Sequence, residues 1–441
     1  MDWRGRTAAD LGRAIERGDL DPLALAEDIL AAIGAHEHGA RIYARLMPER
    51  ARAEAGAARE RARAGLRRGP LDGVPLSWKD LFDTAGVPTE AGSRLLAGRT
   101  PSRDAAVLAT ATAGGSVALG KTHMTELAFS GLGLNPKTAT PPNVHDPDAV
   151  PGGSSSGAAA SVAWDLAPAA IGSDTGGSVR TPAAWNDLVG LKTTHGRLPL
   201  DGCVPLCETL DTVGPLARSV EDAALLLALL EGRRPADLGG ATLAGARLAV
   251  LETVALDDLA EAPARAFERA VDRLARAGAH VSRVAVPAVA EAMALSVTLY
   301  AGEAYAIWRD LLEAHPGTLF HQIERRILAG REIPAHAYID ATRALRRHRA
   351  AWAEATGGFD AVLSPTVAAL PPDAARLEAD ADYYLAQNLL ALRNTRIGNL
   401  MGGAGLTLPT GVPSCGLLLS GPPMSEGRLL RLGAAAEAAL G

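Results

Sequence analysis

The chain has 441 residues, of which 48% are hydrophobic, enough for two or three average domains or for the one continuous core that α/β enzymes of this size often keep. A formal charge of −6 and a pI near 6.0 leave no concentrated basic face, so nucleic acid is not an expected partner. Three cysteines, Cys203, Cys207 and Cys415, make neither a zinc quartet nor a disulfide framework, which points to a reducing cytoplasm with Cys203 and Cys207 as packing residues.

The N-terminal stretch is charged throughout and no later apolar run approaches a spanning length, so neither a secretory signal nor a membrane anchor is expected. Helical periodicity covers residues 7 to about 34, with Asp21 and Pro22 placed as N-cap and first helical residue. Residues 48–66 form a third, highly charged helix whose charges read as a solvated face. At residue 69 the pattern changes, and Gly73 and Pro75 punctuate a short strand in LSWKDLF.

Lys79 sits inside that apolar run. The chain uses arginine almost everywhere, and its only lysines are Lys79, Lys121, Lys137 and Lys192. Arginine does not give up its proton, so a lysine in this background merits separate inspection. Lys79 either snorkels to the surface, the commoner outcome, or stays buried with a depressed pKa; only the buried form serves as a base. A helix is expected at 104–115, followed by a βα passage in which Thr122 and Thr125 cap the segment carrying Glu126. Lys121 and His123 read as local support.

Residues 151–182, PGGSSSGAAASVAWDLAPAAIGSDTGGSVRTP, are the densest stretch of small residues. Two serine clusters enclose AASVAWDLAPAAIG, which reads as a short helix followed by a buried strand, so the stretch is folded and not a linker. Gly176 and Gly177 before Ser178 let successive N–H groups turn toward one point, as an oxyanion or phosphate cradle requires. Taken alone, the Gly-Gly-Ser reads first as a tight turn with surface hydroxyls. Beyond residue 230 the chain shows a strand–helix–strand unit (246–252, a helix, 280–287) and then helices from about 288 to 356.

Six blocks in order resemble the amidase signature hydrolases: GPLDGVPLSWKD around Lys79, GKTHMTELAF at 120–129, PGGSSSG around Ser154, GSDTGGSVRTPA around Ser178, GLKTTHGRLP at 190–199 and LDTVGPLARSVEDAALLL at 210–227. FDAVLSPT, RNTRIGNL and the C-terminal GLLLSGPPMSEGRLLRLGAA extend the similarity more weakly. The resemblance implies a mixed, twisted α/β sheet flanked by helices and a single amidase domain over 1–441. Its sections are N-terminal helices (1–68), the signature core (69–230), a variable section shaping the pocket (231–405) and a return to the core (406–441).

It also implies a Ser–Ser–Lys site with Ser178 as acyl nucleophile, Ser154 as hydroxyl relay reached through a cis peptide, and Lys79 as base. The backbone N–H groups of Thr175, Gly176, Gly177 and Ser178 are expected to hold the oxyanion, one such donor being worth about 3 kcal/mol of barrier. Ser155 is expected to orient the relay, and Asp174 with Arg180 to fix the nucleophile turn; without the resemblance that pair reads equally as a surface ion pair. Phe129, Ser130 and Gly131 are substrate-binding candidates. Tyr300, Tyr305, Trp308, His321 and Tyr338 are candidates for lining the pocket, most of them as core. Arg343 and Arg346 lie near where amidotransferase relatives hold an amino-acid carboxylate.

The chain departs from the family pattern at Ser156, where glycine is common, at Thr193, where proline is common, and at His195, where tyrosine is often found. Ser156 would narrow the space beside the relay, and His195 reads as a structural histidine. The implied activity is hydrolysis of a small amide to an acid and ammonia or amine, with no metal or cofactor, no membrane and a homodimer left open. Two other readings stand beside it: the catalytic A-type component of a tRNA-dependent amidotransferase, and an idle family member acting as a scaffold, against which the intact Lys79, Ser154 and Ser178 argue.

Overall fold

Strand-forming segments rich in small and branched residues, buried on both faces, build the centre of the molecule. In the computed structural model, which describes residues 3–441, eleven strands occur in chain order: β1 Tyr43–Leu46, β2 Pro75–Lys79, β3 Val117–Thr122, β4 Ala169–Ser173, β5 Val189–Lys192, β6 Val213–Ala217, β7 Arg247–Leu251, β8 His280–Val284, β9 Ala361–Pro365, β10 Ala404–Pro409 and β11 Gly416–Gly421. They form one sheet in the order β1-β3-β2-β4-β6-β5-β10-β11-β9-β7-β8. The sheet is mixed: β2 runs parallel to β3 and β4, and β7 runs parallel to β8 and β9. The central ladder from β4 through β6, β5, β10 and β11 to β9 is antiparallel. The expected α/β architecture, a mixed sheet flanked by helices, is what is found.

Local chemistry sets the helix ends. Asp21 accepts from the N–H groups of Leu23 and Ala24, with Pro22 opening the helix Pro22–Ala35. Ser219 caps Val220–Glu231, and Gly232 closes it in the left-handed conformation that glycine enters most freely. The charged helix Pro48–Arg63 buries only the stripe Ala51, Ala55 and Ala58, so its charges do face solvent. The strand–helix–strand unit is β7, Glu261–Arg276 and β8, as the pattern predicted. Among the described residues no helix is long and apolar enough to cross a membrane.

The passage after β3 differs from its expectation. Glu126–Ala128 is one turn of 3-10 helix interrupted at Leu127 (φ 47°), so no full helix follows the strand. Thr125 stands at its N-cap position without making the capping bond, and the Thr122 hydroxyl donates instead to the Trp78 carbonyl at 3.3 Å. Glu126, buried, accepts from the Ser93 hydroxyl and the Phe320 N–H, which fastens this turn to the variable helical section.

Candidate active site

β2 and β4 are parallel neighbours in the register Trp78↔Ile171, so their C-terminal ends lie side by side, the position where open α/β sheets present ligand sites. Lys79 ends β2 and Ser173 ends β4. The Lys79 side chain is fully buried, and its Nζ donates to Ser154 Oγ at 2.7 Å and to Ser173 Oγ at 2.8 Å. Burial lowers its pKa from the ordinary lysine range to about 7, with Asp174, Asp211 and Cys203 acting weakly in the other direction.

The other lysines show why burial alone does not make a base. Lys192 is also held near 7 by burial, but its Nζ donates to the carbonyls of Thr193 and Gly403, which carry no proton to pass on. Lys121 lies 3.2 Å from the Asp80 carboxylate and donates to Thr89 Oγ1. Lys79 alone of these three meets only hydroxyls.

Ser154 follows a cis Gly153–Ser154 peptide and precedes the helix Ser156–Ala163. Gly153 has no room for a side chain: a Cβ there would lie 2.6 Å from Thr125 Oγ1 and 2.7 Å from the Gly133 nitrogen. The Ser155 N–H donates to the Ser178 carbonyl at 3.1 Å, fastening the two serine loops together. Ser155 Oγ in turn donates to the Ser173 carbonyl at the end of β4. The Ser156 hydroxyl turns toward the His123 carbonyl.

The turn from Asp174 to Ser178 links β4 to the helix Arg180–Trp185 and is wrapped by side chains distant in sequence. Asp174 and Arg180 are both fully buried and bonded through two contacts, Nε–Oδ2 at 3.0 Å and Nη2–Oδ1 at 2.9 Å, so the surface-pair reading is incorrect. Burial pushes the Asp174 carboxyl up, but the Arg180 guanidinium outweighs it and holds the group well below the usual carboxylate range. Asn399 bonds both partners. Tyr300 Oη donates to the Thr175 carbonyl, and Thr395 Oγ1 to the Gly176 carbonyl, each at 2.9 Å. Thr175 Oγ1 donates to Asp211, whose carboxyl burial raises to about 6.

One of the four expected cradle donors is otherwise engaged. The Gly177 N–H donates to Asp174 Oδ1 at 2.8 Å, because its φ of +136° turns the peptide back toward that carboxylate. The N–H groups of Thr175, Gly176 and Ser178 donate to no group among the described residues.

Ser178, with Thr175 and Gly176, opens on a cavity of about 370 Å³. Phe129 and Ser130 line it. Gly131 does not: its N–H donates to Asn388 Oδ1, and a Cβ would strike Leu392 at 2.4 Å. Of the aromatic candidates only Tyr300 lines the cavity; Trp308 is core, His321 is exposed, and Tyr305 and Tyr338 bond Glu313 and Glu303. Arg343 and Arg346 lie exposed on the helix Ala335–Thr356, Arg343 beside Asp340, because that helix turns them to solvent. The arginines that do line the cavity are Arg325, Arg326 and Arg396, which the sequence reading missed. His195 is exposed, its Nδ1 3.0 Å from the Asp211 carbonyl, a structural placement. Ser173, Asp211, Thr395 and Asn399 were also missed as individuals; the LDTVGPL and RNTRIGNL blocks that carry the last three were the available signal.

The Amidase family profile matches residues 24–430. The chain is 37% identical to the 2-amino-5-chloromuconic acid deaminase of Comamonas testosteroni over 410 residues, covering 89% of this chain and 87% of that one. It is 33% identical to the A-type component of the glutamyl-tRNA(Gln) amidotransferase of Chloroflexus aggregans over 95% of this chain and 93% of the other. A crystal structure of an amidase superposes with a TM-score of 0.89 at 32% identity, over 99% of this chain and 100% of that one. With the profile spanning nearly its whole length, the chain belongs to the Amidase family.

Proposed function

We propose that the protein hydrolyses the carbon–nitrogen bond of a small amide through a Ser178 acyl-enzyme, with Ser154 as relay and Lys79 as base. The observation that carries this reading is the Lys79 amine: buried, near neutrality, and bonded to two serine hydroxyls, with no carboxylate ion-paired to it among the described residues. A serine hydroxyl is a weak nucleophile until a neighbour removes its proton. The neutral amine takes the Ser154 proton as Ser154 takes that of Ser178, whose Oγ attacks the carbonyl carbon.

The resulting oxyanion is assigned to the free N–H groups of Thr175, Gly176 and Ser178, preorganised by Tyr300, Thr395 and Asp174 around the turn. Collapse of the tetrahedral intermediate breaks the C–N bond, and the leaving ammonia or amine receives its proton from Lys79 by way of Ser154. Water then adds to the acyl carbon by the same route and releases the acid. Membership of a family containing amidases and a deaminase supports this reaction class, and three free thiols support a reducing cytoplasm.

A second reading, ammonia passed to a partner protein, has the amidotransferase relatives in its favour; glutamine hydrolysis with co-purifying partner chains would select it. The test of the first is hydrolysis of aliphatic, aromatic, dicarboxylic and urea-type amides by the purified protein, with acid and ammonia or amine released one for one. No release from any class overturns it.

A further inference from the structure

The substrate cavity is positively charged on the inside. Among the described residues its lining includes Arg325 at the rim, Arg326 and Arg396, and no aspartate or glutamate to balance them. Arg396, on the helix Ala381–Met401, is 8% exposed and sits 5.9 Å from the Tyr300 ring, whose phenol favours its charge, and among the described residues no carboxylate pairs with it. Arg326, on His321–Leu328, stacks 4.4 Å from the Phe129 ring centre, and its Nη1 is enclosed without a hydrogen-bond partner. The Tyr384 hydroxyl, buried in the same wall beside Ser130, makes no hydrogen bond of ordinary geometry. The charge of Arg396 adds to burial in disfavouring that of Arg326.

Two arginines elsewhere are each matched by a carboxylate. Arg180 has Asp174, and Arg61, largely buried, has Asp72. The nearby Glu126 does not serve the pocket, since its two oxygens are taken by Ser93 and Phe320. Burying a cation unpaired is costly, and a guanidinium fork fits a carboxylate in two parallel hydrogen bonds. A neutral amide would leave both forks unpaired against its body.

We propose that Arg326 and Arg396 together hold a carboxylate of the substrate, assisted by the Tyr384 hydroxyl, so that the enzyme acts on amides carrying a free acid, monoamides of dicarboxylic acids. This specificity rests on the amidase reading of the Ser178 site, and its test is chosen to be separable from that reading. Arg325, exposed, is left as a rim charge that draws anions inward.

The experiment is calorimetric binding to the Ser178→Ala protein, which has no proposed nucleophile and so keeps its ligand intact. The probes are the monoamides of succinic, glutaric, adipic and pimelic acids and the matching neutral diamides. At least one monoamide is expected to bind about thirtyfold more tightly than its diamide, the range of a charge-assisted pair. Adding Arg326→Met or Arg396→Met should each cost about tenfold in that affinity, with Tm unchanged or raised because an unpaired buried cation has been removed. Diamides binding as well as monoamides, no binding by any monoamide at millimolar concentration, or Met variants that keep their affinity would overturn the proposal. So would affinity lost together with a lowered Tm, which marks the arginines as structural. Because binding is read without turnover, a parent enzyme that hydrolyses no amide would defeat the amidase reading and leave this result intact.

Discussion

Lys79 Nζ lies 2.7 Å from Ser154 Oγ and no carboxylate is ion-paired with it among the described residues. That relationship separates this site from one built on histidine and aspartate, where the base is held by an acid. Here the amine proposed as base is tuned by burial, and its second partner is another hydroxyl, Ser173.

Ser173→Ala should therefore slow the enzyme without stopping it. The amine keeps Ser154 but loses the second hydroxyl that fixes its direction, and a fall in kcat/KM of about tenfold is expected. Steady-state kinetics on the variant check this, and an unchanged rate would show that the Ser154 contact alone positions the amine.

Gly177→Val should abolish most activity while leaving the remaining core intact. A Cβ at this position, with φ at +136°, would meet Thr395 Oγ1 at 2.0 Å and Leu392 at 3.0 Å. The turn must then shift, moving the neighbouring N–H donors away from the carbonyl oxygen. Loss of one aligned donor is worth about 10² to 10³ in kcat. A folded variant with near-parental kcat would argue against the cradle at 175–178.

Arg180→Met should cost about 3–5 kcal/mol of stability, because Asp174 would be left buried without its cation. The pair also has a pH signature. The Asp174 carboxyl lies below its ordinary range in the folded protein, so the stability it contributes is complete above the unfolded value of about 3.9 and is lost as pH falls below that. Acid denaturation followed by circular dichroism should show this loss in the parent, and the variant should unfold at higher pH. Equal acid midpoints in the two proteins would show that the pair contributes nothing.

Much of this site was legible in the sequence where its residues are close in the chain. The small-residue stretch at 151–182 read correctly as helix then strand, and the scarcity of lysine singled out Lys79 before its burial was known. What was not legible depends on packing between distant elements. Ser173 meets Lys79 only because β2 and β4 pair in one register, and Arg326 and Arg396 reach Phe129 and Tyr300 through separate helices. Arg343 and Arg346, placed by the resemblance near a carboxylate site, are instead turned to solvent by the facing of their helix. The engagement of the Gly177 N–H by Asp174 turns on one dihedral angle, which the Gly-Gly pair permits without specifying.

The central claim, a neutral lysine acting through Ser154, is tested most directly by kcat/KM against pH for the parent, Lys79→Arg and His195→Ala. Arginine keeps the charge and most of the length but cannot accept the proton. The account predicts a parental rate that rises through about pH 7 as the Lys79 ammonium loses its proton, the same rise in His195→Ala, and about 10³-fold less activity in Lys79→Arg. Near-parental activity in Lys79→Arg, or a rise that disappears only in His195→Ala, would contradict it.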